Sequence, residues 1–195
     1  MPVFRSGSRG DIEVVSDRLL TVPNALSLAR LLALPFIYFD VVGGREGRAL
    51  AVLVVVSGSD WVDGYIARRF NQTSRVGRLL DPISDRLLVA VVGIALIIAG
   101  ILPLWAVLLV LARDAFMLTG VALLLARGKT PPEVTDLGKT ATFGLMLALP
   151  LFLLARLLAS TQLRLSAWVL YAGVVYLYYL AAGQYVVMVV RDLRR

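Results

Sequence analysis

Among its 195 residues the chain has no cysteine and no histidine. The first absence excludes disulfides, thiol catalysis and thiolate metal sites; the second removes the commonest general base near neutral pH and the usual zinc or copper ligand. Charge is sparse as well, with Asp, Glu, Lys and Arg together making 17% of the chain. No internal repeat or low-complexity stretch is present. Any chemistry must therefore run on Asp, Glu, Lys, Arg and the backbone. Charges occur throughout the first 20 residues (Arg5, Arg9, Asp11, Glu13, Asp17, Arg18) without a continuous apolar stretch, so no cleaved signal peptide is expected.

Apolar residues are abundant, at 59% of the chain with a mean hydropathy of +0.82. Several apolar runs reach roughly 20 residues, the length that crosses about 30 Å of hydrocarbon. The expectation is an all-α, polytopic membrane protein with six transmembrane helices at roughly 23–41, 48–69, 79–100, 103–127, 137–159 and 164–190. Connections are short, so 23–195 reads as one domain, preceded by a cytoplasmic or interfacial segment at 1–22. There Ile12, Val15, Leu19 and Leu20 share one side of a helical wheel, which fits a short N-terminal interfacial helix; a frayed tail is the other reading. The net charge of +7 comes from basic residues clustered between the spans, which points to anionic membrane lipids and not to nucleic acid as partners.

Lys and Arg in the connections set the orientation. Thirteen fall on the side holding both termini and the 69–78 connection, and four (Arg45, Arg48, Arg156, Arg164) on the other. Both termini are expected in the cytoplasm, with the chain integral to a bacterial-type cytoplasmic membrane.

Four aspartates stand within 26 positions inside these apolar segments: Asp60, Asp63, Asp81 and Asp85. A carboxylate in hydrocarbon costs several kcal/mol unless paired, so an intramembrane acid marks a functional-site candidate. Spacings of three and four put each pair on one helical face, and an antiparallel hairpin of the second and third spans can aim all four at one point, facing the cytoplasm. Two divalent cations would neutralise such a cluster and clamp a transferring phosphoryl group. All-oxygen ligation selects Mg2+ or Mn2+. Gly64, Ala67 and Gly77 leave room for a flat ligand to approach the backbone, or for close helix packing. Arg68, one turn beyond Asp63, can fork onto phosphate oxygens or anchor the span end. A cation pathway is the rival explanation, but it predicts charges spread across the bilayer rather than bunched near one face.

The pattern Asp60-x2-Asp63-Gly64-x2-Ala67-Arg68-x8-Gly77-x3-Asp81-x3-Asp85 resembles the full signature of the CDP-alcohol phosphotransferases. Thr21 to Asn24, Leu26 to Arg30, Arg113-Asp114 and Gly138-Lys139 also look like its phosphatidyl-transferring branch. The resemblance implies a six-helix fold, usually homodimeric, in which an acceptor alcohol attacks the β-phosphorus of CDP-diacylglycerol beside two metal ions and CMP leaves. It implies that Asp60, Asp63, Asp81 and Asp85 hold the metals and that Asp85 accepts the acceptor hydroxyl's proton. By the same resemblance Asn24, Asp63, Gly64, Ala67, Arg68 and Gly77 bind the nucleotide donor.

Arg113 and Asp114 in the fourth span and Lys139 at the start of the fifth should face the bundle interior, because lipid exposure is costly. Arg113 and Lys139 are candidates for binding an acceptor phosphate; pairing of Arg113 with an acid is the alternative, and Arg30 and Arg86 share that ambiguity. The preferred acceptor is phosphatidylglycerol, with glycerol 3-phosphate as the alternative. Family members using the latter usually show Glu after that Arg and a second Lys two residues after the first, where this chain has Asp114 and Ala141. A dianionic phosphomonoester should want more positive charge than a monoanionic phosphodiester. In the last span, Trp168, Tyr171, Tyr176, Tyr178, Tyr179 and Tyr185 read as packing, an interfacial belt, or the lining of a lipid groove or dimer contact.

Overall fold

The computed structural model describes residues 22–70, 77–129 and 135–193, with side chains described at 27–58, 83–129 and 135–189. The described residues are helical, in six elements: α1 (Val22–Val42), α2 (Glu46–Phe70), α3 (Gly77–Ile98), α4 (Leu104–Ala126), α5 (Asp136–Leu157) and α6 (Thr161–Leu193). Each lies over one expected span. The interfacial helix expected within residues 1–22 lies outside the described residues but for Val22. By length and composition α4, α5 and Thr161–Val189 of α6 are apolar enough to cross a membrane.

α1, α3, α4 and α5 end alike. At each C-terminus paired backbone bonds close the last turn, as where Arg45 N–H donates to Asp40 C=O (2.8 Å) and Gly44 N–H to Val41 C=O (3.2 Å). These bonds satisfy carbonyls that a helix end otherwise leaves bare. The motif needs one left-handed residue; Gly44, Gly100 and Gly128 supply it in three cases, and Ala159, at φ 47°, in the fourth. Pro35 and Pro150 sit inside α1 and α5, where each removes one helical hydrogen bond that packing in a bundle tolerates.

Two packing groups meet along the middle. α1 packs along both α2 and α3, α5 packs along α6, and contacts of α5 with α2 and α3 join the groups. Gly144 lets α5 and α6 approach closely: a Cβ there would come 2.4 Å from Val174 Cγ2. Phe152, Trp168 and Tyr171 form an edge-to-face cluster between the same helices, with Trp105 of α4 stacked on Trp168. α6 is further tied to α4 by tyrosine hydroxyls, Tyr171 donating to Ala106 C=O (2.6 Å) and Tyr179 to Leu109 C=O (2.9 Å). Trp168, Tyr171, Tyr178 and Tyr185 thus turn inward, whereas Tyr176 is exposed.

The distribution of polarity is inverted relative to a soluble protein. Leu28, Leu32, Phe36 and Phe39 make an exposed apolar stripe along α1, and Ile83, Leu87, Ile94 and Ile98 one along α3. Meanwhile Arg30, Asp40, Arg113 and Asp114 are buried. Apolar outside with paired charges inside is the arrangement hydrocarbon demands.

Candidate functional site

The signature residues lie at the C-terminal end of α2 and the N-terminal end of α3: Asp60, Asp63, Gly64, Ala67 and Arg68 on the last three turns of α2, Gly77, Asp81 and Asp85 on the first turns of α3. Asn24 is in the first turn of α1. Of these eight signature residues and Asn24, Asp85 has a described side chain; the other side chains lie outside the described residues. Contacts among the described residues run from α2 to α1 and from α1 to α3. Among the described residues α1 thus packs against both α2 and α3, and no contact links α2 to α3 directly.

Asp85 shows what α1 contributes. Arg30 and Asp85 are each the ninth residue of their helices, which puts them at matching depth when α1 and α3 run side by side. They form an ion pair, with Arg30 4% exposed and Asp85 28% exposed. Ser27 of α1 and Ser84 of α3 are buried as well. Arg30 gives the carboxylate the compensating charge that an intramembrane acid needs, and holds its orientation.

The next residue reaches another helix, because successive side chains on a helix point about 100° apart. Arg86 places Nη1 2.7 Å from Asp114 Oδ1 in α4, a close charge contact rather than an aligned hydrogen bond. The same oxygen accepts from Arg113 Nη1 at 3.1 Å and from the Tyr178 hydroxyl at 2.6 Å. Arg113 Nε donates to Tyr178 C=O at 3.3 Å, and its guanidinium carbon sits 3.8 Å from the centroid of the Tyr178 ring. Arg113 is thereby held inside the bundle, 6% exposed.

Lys139 stands differently. Its side chain is 69% exposed and meets Asp136 of its own helix at 3.5 Å; among the described residues it makes no contact with the Arg113 cluster. Sequence reasoning left Arg86 ambiguous and passed over Asp40. The latter is buried at the end of α1, 3.1 Å from Arg45 Nε and 3.6 Å from Arg48 Nε. An acid at a span end followed by two arginines was the available signal.

The donor set suits hard divalent cations. Four carboxylates are available in a chain lacking thiolates and imidazoles, and oxygen-only ligation is the chemistry of Mg2+ and Mn2+.

Helices with apolar outer faces, paired charges inside and an acidic motif at one end define an integral membrane protein with a polar interior site. Residues 20–179 match the family described as CDP-alcohol phosphatidyltransferase. The chain belongs to that family, and is an enzyme of its class. A Streptomyces coelicolor protein named cardiolipin synthase (CMP-forming) is 46% identical over 151 residues, covering 74% of this chain and 70% of its own. A Mycobacterium bovis protein named putative cardiolipin synthase is 42% identical over 186 residues, covering 92% and 89%. A Rickettsia bellii protein named CDP-diacylglycerol--glycerol-3-phosphate 3-phosphatidyltransferase is 39% identical over 136 residues, covering 68% and 75%. Membership of an enzyme family answers the cation-pathway alternative.

Proposed function

We propose that this enzyme transfers the phosphatidyl group of CDP-diacylglycerol to phosphatidylglycerol, forming cardiolipin and releasing CMP. The acceptor hydroxyl oxygen forms a bond to the β-phosphorus as the bridging bond to the α-phosphate breaks, and the hydroxyl proton passes to Asp85. Asp60, Asp63, Asp81 and Asp85 hold two Mg2+ or Mn2+ ions, which supply charge neutralisation at the pyrophosphate and the departing CMP. Asn24, Gly64, Ala67, Arg68 and Gly77 receive the cytidine and donor phosphates, together with Asp63. Arg30 keeps Asp85 in place. Arg113 meets the acceptor phosphate.

The observation that carries the reading is the complete aspartate signature on α2 and α3 in a chain 42–46% identical to proteins named for cardiolipin synthesis. For the acceptor, Asp114 follows Arg113 and Ala141 lies fully buried in the core, where a second lysine has no place. Glycerol 3-phosphate is the second reading, favoured by the Rickettsia relative.

In the membrane, all six helices span, both termini and the aspartate site face the cytoplasm, and the enzyme works as a homodimer. The exposed apolar stripes on α1 and α3 support spanning by helices whose charges lower their apolar score. Purified protein with Mg2+ and CDP-diacylglycerol is to be given each alcohol separately. CMP release with phosphatidylglycerol is expected; release with glycerol 3-phosphate alone would overturn the choice of acceptor.

A further inference from the structure

We propose that Tyr178 of α6 is a positioning residue for the acceptor arginines, and that the cluster it organises selects a singly charged phosphodiester headgroup over a doubly charged phosphomonoester. The inference rests on the acceptor-binding role given to Arg113 above. Tyr178 engages that arginine in three ways: its carbonyl accepts from Nε at 3.3 Å, its ring lies 3.8 Å from the guanidinium carbon, and its hydroxyl donates to Asp114 at 2.6 Å, the carboxylate that Arg113 also touches. A guanidinium has five N–H groups in a fixed fork. With Nε held by the Tyr178 carbonyl and Nη1 by Asp114, the plane of the guanidinium is fixed.

The charges follow from the same contacts. Arg86 and Arg113 converge on a single carboxylate oxygen of Asp114, at 2.7 and 3.1 Å. Two guanidiniums and one carboxylate carry one positive charge in excess, which a phosphodiester balances and a phosphomonoester dianion does not.

Tyr178→Phe removes the hydroxyl but keeps the backbone carbonyl and the ring, so it isolates one contact. CMP release is to be measured with phosphatidylglycerol varied at saturating CDP-diacylglycerol, then the reverse. The expected result is a KM for phosphatidylglycerol raised about tenfold or more, the loss of one hydrogen bond to a charged group, with kcat and the KM for CDP-diacylglycerol unchanged. An unchanged acceptor KM, or an equal rise in both, overturns the positioning role. If Tyr178→Phe yields no folded protein, the same split is read on Asp114→Glu, which moves the carboxylate by one methylene and keeps its charge. The selectivity is read on Asp114→Asn: its additional positive charge should raise kcat/KM for glycerol 3-phosphate relative to phosphatidylglycerol about tenfold, and an unmoved ratio overturns it. Wild-type protein that releases CMP with neither alcohol would overturn the proposed activity itself, a result distinct from either.

Discussion

Replacing Arg30 with Gln leaves the Asp85 carboxylate inside the bundle without its cation. Breaking a buried pair from one side costs about 3–5 kcal/mol. Because Asp85 is 28% exposed, water relieves part of that, and about 3 kcal/mol is expected for Arg30→Gln. For a chain of 195 residues this lowers the unfolding midpoint by roughly 6–12 °C. Removing the acid as well, in Arg30→Gln with Asp85→Asn, takes away the stranded charge and should recover about 2 kcal/mol, so the two substitutions couple. The assay is thermal unfolding of detergent-purified protein, metal-free, for the wild type, both single variants and the double. Destabilisations that simply add would refute the view that Arg30 compensates Asp85.

Other consequences test the frame around the site. Gly144→Leu should cost about 3 kcal/mol or more by overpacking the junction of α5 and α6, read as a lowered unfolding midpoint; Val174→Ala in the same chain should relieve part of it, because Val174 is the side chain met. Ala159→Gly should stabilise by about 1 kcal/mol, since alanine at positive φ is strained and glycine is not, and a lowered midpoint would count against the turn described. Asp40→Asn releases Arg45 and Arg48 from the turn between α1 and α2. It should destabilise the fold by about 1–3 kcal/mol, read as a lowered midpoint, while sparing the KM for either substrate, because it lies at the other end of α1 from Asn24 and Arg30.

The elements were legible because apolar runs of bilayer length are a strong signal, and the helix boundaries fall within three residues of those expected. α6 exceeds its apolar run at both ends, since Ser160 Oγ accepts from Leu163 N–H (3.3 Å) before the run begins and the helix carries on into the basic tail. The aspartate signature was legible because charge inside apolar sequence is conspicuous and its spacing is helical.

The partners of the other charges were not. Arg113 and Asp114 are adjacent, and neighbours one apart do not ordinarily face each other on a helix; the long arginine folds back to the carboxylate under a tyrosine 65 residues on. Tyr178 could not be told from its neighbours Tyr176 and Tyr179, because a helix apolar all round shows no periodicity to separate inward from outward positions. Lys139 looked like an interior residue from its place beside an apolar run. It is instead exposed next to Asp136, in the first turn of α5, where a long side chain reaches polar surroundings.

The most direct test is metal-dependent CMP release from CDP-diacylglycerol and phosphatidylglycerol, by wild type and Asp85→Asn, after exhaustive chelation and then on titration with Mg2+ or Mn2+. The wild type should be silent in chelator and restored by either ion, and Asp85→Asn should stay about a hundredfold or more below it at saturating metal. Undiminished release in excess chelator, or full activity in Asp85→Asn, would contradict a reaction run by metal-bound aspartates on α2 and α3.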